Sequence, residues 1–183
     1  MFRAHLISLI LLLLVACCGC RMAGAPHNQV NVQSGNQDNA QPIRAARDIP
    51  PDTEIILERQ ECDLTCPIYK LTISADGKVV YEGRRFVKKT GIVRSSISQE
   101  KLAELIAEIE RINYFSLKDK YSPGGECPQV ATDYPTAITS VRINGKSKTI
   151  EHYYGCTGSD VMEVLTSLES KIDEMVDTRQ WIK

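Results

Sequence analysis

Three common catalytic motifs are missing from this chain of 183 residues. It contains no G-x-S-x-G, H-E-x-x-H or G-x-x-x-x-G-K-[ST] segment, and these motifs mark serine hydrolases, zinc peptidases and P-loop nucleotide sites. Histidine is also scarce, because the chain has three and only His152 falls in the segment with the pattern of a folded domain. The predicted domain therefore offers one candidate histidine for a catalytic triad. These absences favour a protein that is not an enzyme and that uses no cofactor.

An excess of charge of one sign is lacking as well. The 22 lysine and arginine residues nearly balance the 23 aspartate and glutamate residues, which gives a formal net charge of −1. Nucleic-acid binding depends on a positive surface that neutralises phosphate groups. The balance of charges therefore gives no argument for a nucleic-acid partner.

The N-terminus lacks the roughly 20 apolar residues that a membrane-spanning helix needs. Its apolar run covers residues 6–16 and follows Arg3, which is typical of a secretory signal. The run ends in Leu14-Val15-Ala16-Cys17, which resembles the lipobox of bacterial lipoproteins, where the cysteine is lipidated and the signal is cut before it. We therefore predict lipidation at Cys17. Cys20 is the weaker alternative, because no apolar residue stands three positions before it, and a plain signal peptide or an uncleaved anchor is the remaining interpretation.

The predicted lipid anchor places the protein in the bacterial cell envelope, with membrane lipid as its first partner. Several acyl chains anchor a protein stably, whereas one chain holds it marginally. Cys18 follows the lipidated cysteine, and the resemblance to sorted lipoproteins then implies the outer membrane, facing the periplasm. Residues 1–16 form the signal peptide in this interpretation. Residues 17–50 carry the lipid and a linker that we expect to be disordered, because residues 21–50 contain no aromatic residue and are rich in Asn, Gln, Gly and Ala.

Residues 51–183 have the pattern of a single domain. Alternating apolar residues, turn signals and apolar residues at helical spacing define its elements. The predicted elements are a strand at 53–60, a hairpin at 68–86, a strand at 91–97, a helix within 96–115, a hairpin at 137–155 and a helix within 159–178. Asn144-Gly145 is a strong two-residue turn signal in the second hairpin, and Ser98 is a plausible N-cap of the first helix.

These elements predict the fold class. Strands joined by tight turns must pair antiparallel, and each helix has one apolar stripe that needs a surface to cover it. The simplest fold that meets both conditions is an α+β sandwich of two layers. We predict an antiparallel sheet of about five to six strands with two helices on one face, in a strand order that the pattern does not define.

Several motifs recur together in the domain. It opens with C-x-x-x-C-P-x-Y-x-L-x-I, continues with D-G-x-V-x-Y-E-G, and later has F-S-L and a near-terminal tryptophan. The residues that form these motifs are Cys62, Cys66, Pro67, Tyr69, Leu71, Ile73, Asp76, Gly77, Val79, Tyr81, Glu82, Gly83, Phe115, Ser116, Leu117 and Trp181. Through this combination the chain resembles the bacterial family called domain of unknown function 6438, over roughly residues 53–183. The resemblance supports the domain boundaries and implies no activity or catalytic residue.

Four cysteines lie in the predicted domain, at Cys62, Cys66, Cys127 and Cys156. An even number in an exported chain indicates disulfides, and four cysteines allow three connectivities. We favour Cys62–Cys66, which closes a short ring before a strand. The second bridge, Cys127–Cys156, would then tie a loop to the end of the second hairpin.

Two other roles for the cysteines are less favoured. A zinc ribbon usually has two close cysteine pairs, whereas this chain has one close pair and two single cysteines. His152 shares a strand face with Ile150 and Tyr154, where a histidine is more often packed and hydrogen-bonded than a metal ligand. A redox pair at Cys62 and Cys66 differs from the usual C-x-x-C at a helix N-terminus, because the spacing is one residue longer and a strand follows. We therefore predict structural disulfides and no metal site.

A basic segment, RRFVKKTGIVR, surrounds one strand connection. Its basic residues are Arg84, Arg85, Lys88, Lys89 and Arg94. Such a cluster can contact anionic lipid, polysaccharide or a protein. Basic residues also protect an edge strand from pairing with another chain. This commoner use predicts a protected edge strand.

The sequence favours a lipid-anchored envelope protein whose disulfide-bridged domain binds an envelope protein or a cell-wall ligand without catalysis. A thiol-disulfide redox protein that uses Cys62 and Cys66 is the first alternative. An inhibitor of a secreted hydrolase is the second, because small exported domains can block active-site clefts.

Overall fold

The computed structural model describes residues 48–183. The predicted signal peptide, the predicted lipid site Cys17, its alternative Cys20 and the linker up to residue 47 lie outside the described residues, so these assignments stay predictions. No helix within the described residues is long and apolar enough to cross a membrane.

A seven-stranded sheet forms the centre of the domain. The described residues form nine strands, of which seven belong to this sheet. The nine strands are β1 (Glu54–Arg59), β2 (Ile68–Ser74), β3 (Lys78–Arg85), β4 (Gly91–Ser96), β5 (Lys120–Tyr121), β6 (Gln129–Val130), β7 (Thr136–Ile143), β8 (Lys146–Tyr153) and β9 (Cys156–Thr157). The large sheet has the order β4-β3-β2-β1-β7-β8-β5. Its neighbouring strands are antiparallel except β5 and β8, which are parallel. A separate small sheet pairs β6 with β9.

Two main helices pack on the sheet, and each begins after a serine that caps it. The first helix, α1 (Gln99–Arg111), has the predicted N-cap Ser98, whose hydroxyl oxygen accepts a hydrogen bond from a backbone N–H of the first turn. The second, α2 (Asp160–Val176), is capped in the same way by Ser159. A short third helix, α3 (Arg179–Ile182), follows α2.

The core lies between these helices and one face of the sheet. Alternate residues of β1, β2, β3 and β7 are buried, as the two-residue period of a strand requires. The core includes Ile55, Leu57, Leu71, Ile73, Val79, Tyr81, Leu102, Leu105, Ile109, Val141, Ile150, Leu165, Leu168 and Ile172. Each buried leucine or isoleucine contributes about 1.5–3 kcal/mol to the free energy of unfolding. We call the sheet face toward the helices the inner face and the opposite face the outer face.

This arrangement confirms the predicted α+β fold with a helical layer on one face of a sheet. The sheet has seven strands, where we expected about five to six, because β5 adds a short strand next to β8. A strand of two residues leaves no alternating pattern in a sequence, so neither β5 nor its parallel pairing was predictable.

The turn of the second hairpin has the geometry that its sequence indicates. Asn144 and Gly145 both have positive φ angles, 53° and 73°, and a type I′ turn requires φ > 0 at both positions. The carboxylate of Asp52 accepts hydrogen bonds from the N–H groups of Asn144 (3.0 Å) and Gly145 (2.7 Å). The bond from Gly145 is the main cause that lowers the pKa of Asp52. These bonds tie the segment before β1 to the β7–β8 hairpin.

Candidate binding surface at the disulfide end

Two disulfides close loops at the same end of the seven-stranded sheet. Cys62 is bonded to Cys66 between β1 and β2, with Cα atoms 5.8 Å apart. Cys127 is bonded to Cys156, with Cα atoms 5.4 Å apart, and this bridge joins the loop before β6 to β9. Both distances are normal for disulfides. The structure therefore contains the connectivity that the sequence favours.

Several loops leave the sheet at this end, which we call the disulfide end. The register places Arg59 opposite both Tyr69 and Ala137, and it places Ala137 opposite His152. These four residues therefore form one row across the sheet. The loops that leave the sheet beyond this row comprise residues 60–67, 86–90, 131–135 and 154–155.

Large apolar side chains are exposed at the disulfide end. Leu64 lies in the middle of the ring that the first disulfide closes, and it is 76% exposed. Tyr134 and Phe86 are half exposed in two of the other loops, and Val130 is exposed on β6 beside the second disulfide. Single exposed apolar residues are normal, but a concentration of them at one end is typical of a contact surface.

Two carboxyl groups lie together in these loops. A hydrogen bond with the Asp133 carboxyl, together with its charge, raises the pKa of Asp63, and Glu61 adds a smaller effect. Within the described part of the chain, neither Asp63 nor Asp133 forms an ion pair with a cation. Asp63, the neighbour of Leu64, and Asp133 therefore form a pair of carboxyl groups that no basic residue among residues 48–183 neutralises directly, whereas Glu61 pairs with Arg85.

A buried polar network lies next to these loops, on the inner face. Arg59, the last residue of β1, donates from Nη2 to Oδ2 of Asp173 on α2 at 2.8 Å. The hydroxyl of Tyr69 donates to Oδ1 of the same carboxylate at 2.7 Å, and the hydroxyl of Thr178 donates to Oδ1 at 3.0 Å. Both oxygens of the Asp173 carboxylate therefore have donors.

A second carboxylate, Glu169, lies one helical turn before Asp173. Its Oε1 is 3.1 Å from Nδ1 of His152, and its Oε2 accepts a hydrogen bond of 2.5 Å from the hydroxyl of Tyr154. Nη1 of Arg59 donates to the hydroxyl oxygen of Tyr154 and lies 3.5 Å from Oε2 of Glu169. The guanidinium of Arg59 therefore connects the two carboxylates.

Burial and the carboxylates shift the pKa values of the network in consistent directions. Burial opposes the charge of Arg59, but the surrounding acidic groups, Asp173 first, outweigh burial and raise the pKa of the guanidinium. Burial also raises the pKa values of Tyr69 and Tyr154 well above that of free tyrosine. At neutral pH both tyrosine hydroxyls therefore keep their protons and act as donors.

The network supports the loops, and two of its members are closed to a ligand in this structure. The side chains of His152 and Glu169 are each 1% exposed, so a substrate cannot reach them. Arg59 immediately precedes the loop 60–67, and Tyr69 follows that loop by two residues. Charge-assisted hydrogen bonds at these positions fix where the loop leaves and re-enters the sheet.

The structure brings all four predicted cysteines to one end of the sheet and places His152 in the adjacent network. His152 is packed and hydrogen-bonded, which is the role that its strand position indicates. The pattern of the sequence did not indicate Arg59, Glu169 or Asp173. One signal was present, because Glu169 stands four residues after Leu165 on the apolar stripe of α2, and a carboxylate there needs a partner.

Metal ligands do not converge in the described part of the chain. Among residues 48–183, no group of three or more His, Cys, Asp or Glu side chains is arranged so that it could hold a metal ion. The four cysteines of the domain are occupied by the two disulfides.

The fold and these loops define a small α+β domain with two disulfides at one end of its sheet. The sequence model of the Domain of unknown function (DUF6438) matches residues 53–176, and the chain belongs to this family. The matched segment includes the β-sheet, both disulfides and α2, which confirms the resemblance seen in the motifs. A comparison with curated proteins gives no match. Family membership names no activity, so the function is argued from the disulfide end.

Proposed function

We propose that this chain is a lipid-anchored protein of the bacterial cell envelope whose domain binds another protein through the disulfide end. The observation that carries the proposal is Leu64, which is 76% exposed in the middle of the ring closed by Cys62–Cys66. Burial of a leucine side chain by a partner contributes about 1.5–3 kcal/mol to binding. The ring therefore presents an apolar contact that the domain itself leaves uncovered.

The ring is also ordered before a partner arrives. A disulfide-closed ring has few conformations to lose, so binding costs less ordering entropy than it would for an open loop. The flanking residues Arg59 and Tyr69 share the carboxylate of Asp173, which holds both ends of the loop. This preorganisation supports a protein partner with a defined pocket over a polymeric cell-wall ligand, whose polar surface would leave Leu64 without apolar contact.

The charges around the ring specify the partner further. Asp63 and Asp133 repel each other, as the raised pKa of Asp63 indicates. A lysine or arginine of the partner beside its apolar pocket would relieve this repulsion. We therefore expect the partner to present an apolar pocket with a basic edge. If that pocket is the active-site cleft of a secreted hydrolase, the domain acts as an inhibitor.

The proposed anchor at Cys17 accounts for the long N-terminal segment. Acyl chains would hold the chain in the outer membrane, and residues 21–47 would act as a tether, since Ile49 already packs against the core of the domain. About 30 residues of flexible chain have a root-mean-square reach of about 30 Å. The domain would then search for partners near the membrane surface, and neither nucleic acid nor a small-molecule cofactor enters this function.

Site-specific photocrosslinking tests the proposal in living cells. A photoreactive amino acid replaces Leu64 in the full-length chain, and the matched control replaces Lys146, which is exposed in the β7–β8 hairpin away from the disulfide end. We expect a discrete adduct with another protein from position 64 and none from position 146. Mass spectrometry of the adduct identifies the partner.

Two results contradict the proposal. One is equal adduct formation at both positions, which indicates random contact. The other is the absence of any protein adduct from position 64 in a chain that keeps its native fold. If the adduct contains a secreted hydrolase, inhibition of that hydrolase by the purified full-length chain shows that the partner's cleft is the pocket.

Thiol exchange through Cys62 and Cys66 is the second candidate, because both cysteines are partly exposed at the surface. Against it, Pro67 and a strand follow Cys66, whereas reactive cysteines of exchange enzymes commonly lie at a helix N-terminus. Free thiols counted during graded reduction separate the two candidates. Opening of this ring first, near the potentials of known exchange enzymes, supports thiol exchange, whereas resistance of all four sulfurs supports structural bridges.

A further inference from the structure

β4 is a free edge of the seven-stranded sheet. It pairs with β3 on one side and with no strand of the described chain on the other side. Five of its six residues are exposed, and only Val93 is half-buried. Ile92 is 60% exposed. An apolar side chain and a row of unpaired backbone groups therefore face solvent along this edge.

This edge lacks the features that usually prevent pairing with another chain. Such edges commonly carry several charges, a proline or a bulge. β4 has one charged residue, Arg94, has no proline, and pairs with β3 over six residues without a shift of register. The predicted edge strand is present, but the other basic residues expected to protect it lie on β3 (Arg84, Arg85) or in the following loop (Lys88, Lys89).

The register shows which backbone groups of β4 point to the free side. The N–H of Ile97 donates to the carbonyl of Gly77 at 2.9 Å, and these two residues extend the β3–β4 register by one pair. Hydrogen-bonded and non-hydrogen-bonded pairs alternate along antiparallel strands. The N–H and C=O groups of Ile92, Arg94 and Ser96 therefore point away from β3.

We propose that this edge pairs antiparallel with β4 of a second copy of the chain, with Val93 opposite Val93 of the second copy. Ile92 of each copy then lies opposite Arg94 of the other copy. Each of these two residue pairs is joined by two backbone hydrogen bonds. In this register the inner faces of both sheets lie on the same side. A register centred on Arg94 is less favourable, because it would place two guanidinium groups directly opposite each other.

Charge complementarity favours a second copy of the chain as the partner of β4. Arg94 forms no ion pair within residues 48–183. Glu82 lies opposite Ile92 on the neighbouring strand β3, so Arg94 of the second copy would be two strands away from Glu82, at a Cα distance of about 10 Å. The two long side chains span this distance on the outer face. Glu82 shares the guanidinium of Arg84 with Glu58, so its charge is only partly neutralised within one copy.

A single cysteine at Val93 in the full-length chain tests the register. In a non-hydrogen-bonded antiparallel pair the Cα atoms are about 4.5 Å apart, a distance that a disulfide can bridge. We expect Val93→Cys to form a disulfide-linked dimer on mild oxidation, measured on a non-reducing gel. The matched control is Ser95→Cys on the same strand and face, because the two copies of residue 95 would be about 14 Å apart along the strand.

The chain without substitutions gives the background of disulfide-linked dimer that its own N-terminal cysteines produce. The Ser95→Cys variant should not exceed this background. Adding Arg94→Glu to Val93→Cys should lower the crosslinked fraction about threefold or more, and a further Glu82→Arg should restore it. Circular dichroism and thermal unfolding verify that each variant keeps the native fold.

Three outcomes overturn the inference. The first is equal crosslinking at positions 93 and 95. The second is a natively folded Val93→Cys chain that stays monomeric. The third is a crosslink from position 93 to a different protein without any homodimer, which would assign the edge to a strand of another partner. The inference does not depend on the disulfide end, so its failure leaves the proposed function intact.

Discussion

At the scale of single residues, Arg59 decides whether the buried network is stable. Its guanidinium is the cation that contacts both Glu169 and Asp173 in the described part of the chain. Removing one partner of a buried ion pair costs about 3–5 kcal/mol, because the opposite charge stays buried without compensation. We expect Arg59→Leu to lower the free energy of unfolding by about this amount, measured by urea denaturation followed by circular dichroism.

The control for this prediction is Arg84→Leu. Arg84 pairs with Glu58 at 2.8 Å, but its side chain is 39% exposed, and exposed ion pairs contribute about 0–1 kcal/mol. Arg59→Lys should fall between the two variants, because lysine keeps the charge and loses the forked geometry that binds two carboxylates. Equal losses for Arg59→Leu and Arg84→Leu would show that the network does not hold a buried charge.

Asp63 gives a pH-dependent prediction. Asp133 raises the pKa of Asp63, so the ionised Asp63 destabilises the folded state, and this loss appears as pH rises through the raised pKa. We expect Asp63→Asn to be more stable than the unchanged chain at pH 7. The two chains should converge in acid, below the ordinary aspartate pKa of about 3.9. Denaturation midpoints measured across this pH range check the prediction.

Asp76 is a matched control, because its ionised carboxylate has the opposite effect on the stability of the folded state. Hydrogen bonding with Lys78 lowers the pKa of Asp76, so its ionised form stabilises the folded state, and this contribution is lost as pH falls through the lowered pKa. Asp76→Asn should therefore be less stable than the unchanged chain at pH 7 and should also converge in acid. If both variants shift in the same direction, charge is not the cause.

At the scale of elements, the sequence predicted the strands and helices that are long enough to show a periodic spacing of apolar residues. The hairpins and the two main helices, with the cap at Ser98 and the turn at Asn144-Gly145, follow from local spacing and were predicted at nearly their observed bounds. The two-residue strands and α3 are too short to show a period. The network was not predictable, because Arg59 and Asp173 are brought together by packing across more than a hundred residues.

The two disulfides should differ in how much they stabilise the elements that they join. Cys127–Cys156 closes a loop with a sequence separation of 29, and Cys62–Cys66 closes one with a separation of 4. The chain-entropy relation then gives about 3.6 kcal/mol for the longer loop and about 2 kcal/mol for the shorter. We expect the double serine variant of the longer bridge to lose more unfolding free energy, measured by chemical denaturation. A larger loss from the shorter bridge would contradict this order.

At the scale of the whole molecule, the proposed lipid anchor predicts where the chain is found in a cell. Cys17→Ser removes the thiol that we expect to be acylated, and the chain should then move from the membrane fraction to the soluble periplasmic fraction, because multiple acyl chains provide stable anchoring. Cys20→Ser is the matched control and should stay with the membrane. Fractionation and intact-mass measurement check both variants, and release of Cys20→Ser alone would assign the anchor to the alternative cysteine.

The proposed pairing uses the same edge of both copies, and this symmetry limits how far copies of the protein can assemble through it. β4 forms this edge over six residues. Once two copies pair through β4, neither copy keeps a free β4 edge that could recruit a third. Such an isologous contact closes on itself, whereas a head-to-tail contact would continue into a filament. Pairing through this edge would therefore give dimers and would not continue into fibres.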